Sequence, residues 1–308
     1  MLGSRQALLK TVHKAIEYRR RLLPMPGAST IPSQKPLAHL LESANCFDCK
    51  FGRINFKISH ACPNVRFIHI GKTGGSTVRW NLLSAGVYIE EFHVRRPVWS
   101  PNTWYFFWIR NPLRRFVSAF NFSKEVITFD FSNLTIAELT MENCPAPEKI
   151  QRRMERGFAY EPSYDNLVLQ FDSANALAES LTSNNSILRH KAHQLMRHYQ
   201  EHIFKGIGWY LDNGAFVRNF HRQILLVGRT EAFDQDLARL EDALGISLRQ
   251  KDLAIHKRKD GSNLKRDLSS KAISNLRHFY ANSDYAALRQ LMNKGFISAD
   301  VYDSYREY

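Results

Sequence analysis

The residues best suited to chemistry lie in a glycine-rich turn, His69-Ile-Gly-Lys-Thr-Gly-Gly-Ser-Thr77. The apolar run before it, 65–70, predicts a buried strand, and the segment from Thr77 to Leu83 predicts a helix. Glycines let the backbone come close to an anion, and the first N–H groups of a helix point towards it. Lys72 adds a full positive charge at the same place. The sequence therefore predicts that this turn binds a phosphorylated or sulfated small molecule.

A second candidate group follows another apolar segment, 104–110, whose side chains are apolar at successive positions, as in the central strand of a parallel sheet. The segment ends in Arg110, and Asn111-Pro112 predicts the start of a helix. In the glycine-rich turn, Lys72 precedes the pair Gly74-Gly75, whereas the lysine of the P-loop that binds nucleoside triphosphates follows the last glycine. We therefore expect anion binding through lysine, arginine, hydroxyls and backbone, with no metal.

These groups are positioned by an alternation of strands and helices that begins near residue 52, which predicts an α/β fold. We expect a P-loop-like domain with a central, mostly parallel sheet flanked by helices, as a single domain over 37–308. Residues 1–36 are predicted to form a basic helix and a linker. The predicted strands are 52–58, 65–70, 86–92, 104–110 and 223–228, and the predicted helices are 111–122, 148–157, 164–181, 184–205, 213–220, 231–244 and 269–293.

The charge balance favours an anionic partner, because 43 lysines and arginines stand against 29 acids, a net charge of +14. The pattern contains no membrane span and no secretory signal, and it predicts a cytoplasmic protein. Residues 1–25 form a basic amphipathic pattern that suits peripheral contact with an anionic membrane, or packing against the domain. Aromatic-basic RNA motifs are absent, so nucleic acid is not expected. Cys46 and Cys49 match a zinc pattern only in part, and plain thiols or one disulfide are favoured over zinc.

Two segments in order resemble sulfotransferases that use 3′-phosphoadenosine 5′-phosphosulfate (PAPS). Phe67-Ile-His-Ile-Gly-Lys-Thr-Gly-Gly-Ser-Thr77 resembles their 5′-phosphosulfate loop, and Phe107-Trp-Ile-Arg-Asn-Pro-Leu-Arg-Arg-Phe-Val-Ser118 resembles their 3′-phosphate motif. Segments 224–231 and 256–262 are similar to later parts of the carbohydrate branch, which covers Golgi-type and bacterial glycan enzymes. The resemblance implies transfer of a sulfuryl group from PAPS to a hydroxyl of a carbohydrate or glycolipid. The product would be 3′-phosphoadenosine 5′-phosphate (PAP), and no metal would be required. Segment 125–215 matches nothing in the family, so the acceptor is not predicted.

The resemblance also implies roles for individual residues. Lys72 would stabilise the leaving group, and Arg110 with Ser118 would bind the 3′-phosphate. Arg229 is a further candidate for the donor, with a structural role at the sheet edge as the alternative. The 5′-phosphate would be held by Thr73, Gly74, Gly75, Ser76 and Thr77. Lys257 and Arg258 would belong to a mobile loop that closes over the nucleotide, and the alternative for these two residues is a solvated run of charges.

The acceptor hydroxyl needs a base, and His93 is a candidate because it ends the strand after the first helix. Glu90 and Glu91 compete for this role. Since neighbours along a strand point to opposite faces, we expect only one of the two glutamates to face the site. A structural role for His93 stays open.

Two other functions are consistent with parts of the pattern. One is a metal-dependent P-loop kinase or NTPase, which the position of Lys72 disfavours. The other is a non-catalytic basic module that binds an acidic polymer or a membrane, whose binding would survive loss of Lys72 and Arg110.

Overall fold

The computed structural model of the protein describes residues 42–51, 54–140, 142–199, 202–248 and 265–308. The predicted N-terminal helix and linker, 1–36, lie outside these ranges. So does the basic loop that contains Lys257 and Arg258.

Five strands form one mixed, mostly parallel sheet, in agreement with the predicted α/β class. β2 is central: it pairs antiparallel with β1 and parallel with both β3 and β4, and β4 pairs parallel with β5. The parallel part therefore has the order β3-β2-β4-β5. The strands are β1 (Glu42–Phe51), β2 (Ile54–His69), β3 (Val87–His93), β4 (Trp104–Ile109) and β5 (Ile224–Arg229).

β4 is buried on both faces, as its apolar sequence predicts. Tyr105, Phe107 and Ile109 pack into the core on one side of the sheet, whereas Phe106 and Trp108 pack into the core on the other side. All five side chains are fully buried. Burial of each such side chain contributes about 1.5–3 kcal/mol to folding, so this strand fixes the centre of the sheet.

Helices cover both faces. α1 and α9 pack on the side of Phe106 and Trp108, and the other helices in the core pack on the opposite side. The helices are α1 (Gly75–Ser84), α2 (Pro112–Thr128), α3 (Pro147–Arg156), α4 (Pro162–Leu169), α5 (Ala174–Ser180), α6 (Ser186–Met196), α7 (Ile207–Tyr210), α8 (Ala215–Phe220), α9 (Phe233–Leu244), α10 (Ser270–Tyr280), α11 (Asp284–Asn293) and α12 (Ala299–Ser304). In the described ranges, no helix has the length and apolar character that crossing a bilayer requires.

The predicted strands 52–58 and 65–70 are parts of one strand, β2. Four predicted helices have the wrong bounds, and one of them, predicted for 111–122, continues to Thr128 as α2. Segment 164–181 forms two helices, α4 and α5, because the Ser173 hydroxyl accepts a hydrogen bond from the Ala176 N–H and starts a new helix. Segment 269–293 also forms two, α10 and α11, and the predicted helix 184–205 ends at Met196.

The four parallel strands bring their carboxyl ends to one edge of the sheet. The chain leaves β2 through α1 to β3 on one side, and then returns to β4 on the other side of β2. Where connections leave a central strand in opposite directions, a crevice opens at the carboxyl ends. The glycine-rich turn and Arg110 both lie at this edge.

Candidate anion-binding site at the sheet edge

The turn over 71–77 has a tight backbone that directs the start of α1 towards the crevice. Lys72 and Gly74 have positive φ values of 71° and 89°, and Gly74 is the N-cap of α1. A side chain at Gly75 would overlap the imidazole of His69, so the backbone and that ring are in close contact. The Thr77 and Val78 N–H groups donate to the Gly74 carbonyl at 3.0 and 3.2 Å, so the N–H groups of Gly75 and Ser76 are the ones at the helix start that suit an anion.

The hydroxyls of the turn have different roles. Thr73 is fully buried, and its Oγ1 donates to the Ile70 carbonyl at 2.8 Å. The Thr230 hydroxyl is within 2.8 Å of the Thr73 carbonyl and 3.1 Å of the Ile109 carbonyl, which joins the turn to the ends of β4 and β5. Ser76 is exposed and Thr77 is half-buried, so these are the hydroxyls of the turn that a ligand can reach.

Arg110 lies against this turn, as the two sequence motifs require. Its Nη1 donates to the backbone carbonyl of Lys72 at 3.3 Å. Burial lowers the pKa of the Arg110 guanidinium, while the charge of Glu231 opposes that effect. Glu231 also accepts a hydrogen bond from the Asn111 N–H at 3.0 Å, at the point where α2 begins. A partly buried cation is therefore held beside the turn.

Further arginines lie near Arg110. The charges of Arg114 and Arg266 both lower the pKa of Arg110, which indicates that all three share one region. Arg114 and Ser118 are four residues apart in α2 and lie on the same helix face. Arg114 is exposed and Ser118 is half-buried. The sequence predicted Ser118 for this region but not Arg266, which lies just before α10 and belongs to no recognisable motif.

His93 is fixed by the end of β2. Its Nδ1 is 3.1 Å from the His69 carbonyl, and the two imidazole rings stack with centroids 4.0 Å apart. Because the carbonyl only accepts, His93 carries its proton on Nδ1 and leaves Nε2 as an acceptor. Burial, together with the charge of His69, lowers the pKa of His93 to about 3. The ring is therefore neutral over the ordinary pH range.

The two glutamates have separate partners, in agreement with the predicted alternation along β3. Glu91 pairs with Arg79 of α1 and lies 3.3 Å from Nδ1 of His69. Burial alone would raise the pKa of Glu91, but His69 and Arg79 hold it below the usual value. Glu90 instead pairs with Arg66 at 2.9 Å and with Arg95 at 3.2 Å.

Two arginines of the sequence motifs have structural partners. Arg229 contacts the buried carboxylate of Asp236 through both its backbone N–H, at 2.8 Å, and its Nε, at 3.3 Å. These contacts favour the alternative in which Arg229 stabilises the sheet edge. Arg115 is fully buried, and its Nη1 donates to the His202 carbonyl at 2.8 Å. Lys257 and Arg258 lie outside the described residues.

Two residues near the site carried no recognisable signal in the sequence. His202 is fully buried with its ring centroid 5.4 Å from that of His93, and burial lowers its pKa well below the usual value. Lys149, in α3, is close enough for its charge to lower the pKa of both histidines. Both lie in the segment that matched no motif. Only the tertiary structure brings them to the sheet edge.

The described part of the chain contains no group of three or more His, Cys, Asp or Glu side chains that could hold a metal ion. Comparisons with known proteins give no match: no protein-family model, no curated protein and no solved structure matches this chain. The function must therefore be argued from the geometry of the site.

Proposed function

We propose that the protein is a sulfotransferase that moves a sulfuryl group from PAPS to a hydroxyl of a carbohydrate or glycolipid acceptor. The contact between the Arg110 guanidinium and the Lys72 carbonyl is the observation that carries this proposal. This contact supports the proposal because it joins the two segments that resemble the donor motifs. A nucleotide with phosphates at both its 5′ and 3′ positions needs two such anion sites side by side.

The residues present fit this donor. The backbone N–H groups at the start of α1, together with Ser76 and Thr77, form a P-loop-like turn that suits the 5′-phosphate of the donor. Gly75 lies so close to His69 that only a residue without a side chain fits there. Arg110, with Arg114 and Ser118 along α2, suits the 3′-phosphate.

The donor supplies an activated sulfuryl group, so the protein has to stabilise charge and accept a proton. In the reaction a bond forms between the acceptor oxygen and sulfur, while the bond from sulfur to the bridging oxygen of the 5′-phosphate breaks. Lys72 stabilises the negative charge on that oxygen. The acceptor proton goes to Nε2 of His93, whose tautomer the His69 carbonyl fixes.

Of the three candidate bases, we choose His93 on geometry and not on basicity: burial lowers its pKa to about 3, but the bond to the His69 carbonyl leaves Nε2 as a proton acceptor. The Glu91 carboxylate is engaged by Arg79 and His69. The Glu90 carboxylate is paired with two arginines. We infer that Glu91 acts indirectly, by holding His69 under the ring of His93.

The kinase or NTPase alternative needs a carboxylate at a strand end to hold Mg²⁺. Two acids that follow β5, Glu231 and Asp236, are engaged elsewhere. Asp236 is paired with Arg229 and Arg239, and Glu231 bonds the Asn111 N–H and the Tyr305 hydroxyl. This arrangement favours a metal-free site.

The test is a transfer assay with radiolabelled PAPS and a panel of glycans and glycolipids. We expect transfer by the wild-type protein, and a kcat about 10²- to 10³-fold lower in Lys72→Ala, since one electrostatic stabiliser of the transition state is lost. Lys271→Ala, an exposed lysine in the first turn of α10, is the matched control. A wild-type protein that does not bind PAP, or a Lys72→Ala variant as active as the wild type, would show the proposal to be wrong.

A further inference from the structure

The chain adopts a strained conformation directly after the candidate base. Val94 follows His93 at the end of β3 and has a φ value of 57°. A β-branched residue is disfavoured in this left-handed region, because its Cβ crowds the following carbonyl oxygen. Such conformations persist only where the surrounding structure holds them, and they cluster at functional sites. The groups that hold Val94 therefore bear on the position of His93.

Two side chains from one distant segment hold the backbone of Val94. The Val94 N–H donates to the hydroxyl of Tyr210 at 3.0 Å, and the Val94 carbonyl accepts from Nζ of Lys205 at 3.3 Å. Tyr210 is the last residue of α7, and its side chain is buried. A partly buried N–H that loses its acceptor is costly, so the bond to Tyr210 favours the conformation in which Val94 can make it.

α7 is itself fixed in the core. The Gly208 N–H donates to the Asp284 carboxylate at 2.8 Å, and that carboxylate lies 3.5 Å from Nε of Arg115. A side chain at Gly208 would overlap the backbone of Ser283, so α7 lies directly against the start of α11. These contacts lie outside β3, and they make the Tyr210 hydroxyl a rigid support for it.

The position of the His93 imidazole depends on the backbone at the end of β3. Its Nδ1 lies 3.1 Å from the His69 carbonyl, which leaves Nε2 as the proton acceptor. If Val94 relaxed to a negative φ, the chain would leave β3 in another direction, and the backbone of His93 would move with it. A displacement of about 1 Å in a catalytic group can lower a rate by about 100-fold.

We infer that Tyr210 is a positioning residue: its hydroxyl holds Val94 in the left-handed conformation and thereby keeps the imidazole of His93 aligned with the acceptor hydroxyl. The catalytic consequence rests on the proposed function, whereas the geometry of His93 can be measured without it. Tyr210 acts through the backbone of Val94 and not on the substrate.

The first test is nitrogen-15 NMR of the full chain with labelled histidine at neutral pH. Wild-type His93 should carry its proton on Nδ1 only, and the signal that His93→Gln removes identifies it. Tyr210→Phe removes the acceptor of the Val94 N–H and should give a mixture of the two tautomers. Tyr105→Phe is the matched control, because the Tyr105 hydroxyl accepts from the Ser100 N–H at 2.9 Å in the same connection, at the start of β4. It should leave the His93 signal unchanged.

The second test is steady-state transfer. Tyr210→Phe should lower kcat about 10- to 100-fold, while the Kd of PAP changes by less than about twofold. Glycine adopts positive φ values readily, so in a Val94→Gly background the same substitution should lower kcat by less than about threefold. Tyr105→Phe should leave kcat unchanged.

Three outcomes would overturn the inference. One is an unchanged His93 signal in Tyr210→Phe, another is an equal loss of kcat in Tyr105→Phe, and the third is the same loss from Tyr210→Phe with and without Val94→Gly. A wild-type protein that transfers no sulfuryl group would instead count against the proposed function, and the NMR comparison would still decide whether Tyr210 positions His93.

Discussion

Arg110 and Arg115 lie five residues apart, Arg110 just before α2 and Arg115 in its first turn, and they have different surroundings. Arg110 is half-buried at the sheet edge and contacts the turn that contains Lys72. Arg115 is fully buried, with its Nε 3.5 Å from the Asp284 carboxylate, which in turn accepts from the Gly208 N–H at 2.8 Å. The comparison separates an arginine whose charge is paired inside the protein from one at the sheet edge, where we propose that a ligand binds.

The largest expected effect concerns Arg115, the arginine of this comparison that is buried in the protein. Arg115→Ala should lower the free energy of unfolding by about 3–5 kcal/mol, since it leaves the buried Asp284 without its cationic partner. Urea unfolding followed by circular dichroism measures the change. Asp284→Ala should cost a similar amount. A variant of Arg115 that is as stable as the wild type would show that the pair does not anchor α2.

The next effect concerns Arg110, the arginine at the sheet edge. Arg110→Ala should weaken PAP binding by about 10- to 100-fold, as expected for the loss of a hydrogen bond to a charged group. Binding of ADP, which has no 3′-phosphate, should change by less than about twofold. Calorimetry measures both, with Arg277→Ala, an exposed residue of α10, as control. An equal loss for PAP and ADP would place Arg110 at another part of the nucleotide.

The free energy of unfolding at acid pH tests whether the imidazole of His93 is buried and neutral. The pKa of His93 is about 3 in the folded protein, below its ordinary value of 6.5. Between these values the unfolded chain binds the additional proton, so His93 alone should lower the free energy of unfolding by about 1.4 kcal/mol for each pH unit between 6.5 and about 3, and His202 should add to that fall. His93→Gln should show a shallower fall, whereas His278→Gln, an exposed control, should not. The same slope in both variants would contradict the burial of His93.

The smallest expected effect concerns Arg229. Because its guanidinium is partly exposed and Asp236 keeps Arg239 and a backbone N–H as partners, Arg229→Ala should cost about 1 kcal/mol of stability or less. PAP affinity should change by less than about twofold. Thermal unfolding and calorimetry measure these values. A tenfold loss of PAP affinity would instead assign Arg229 to the donor site.

The strands of the sheet edge could be predicted from the sequence. Segments 104–110 and 223–228 match β4 and β5 to within one residue, because a strand buried on both faces is a short, continuous apolar run. Segment 65–70 covers only the last part of β2, which starts at Ile54. The turn and Arg110 were predicted for the same reason: they follow such runs directly. Local sequence was enough for this part of the site.

The rest of the site depends on contacts between distant segments. Nothing near Lys149 in the sequence indicates that α3 reaches the rings of Phe122 and Tyr160. Asp284, at the start of α11, likewise contacts Arg115 and Gly208, which are more than 70 residues away in the sequence. Such pairings are set by the packing of the whole domain and leave no periodic pattern in the chain.

The central claim is that one site binds both ends of a bisphosphorylated adenosine. The most direct measurement is the thermal unfolding of the full chain with PAP, with ADP, and with ATP and Mg²⁺. We predict the largest rise in Tm with PAP, equivalent to about 2.7 kcal/mol at a concentration 100 times the Kd, and a smaller rise with ADP. An unchanged Tm with PAP, or a larger rise with ATP and Mg²⁺, would contradict the claim.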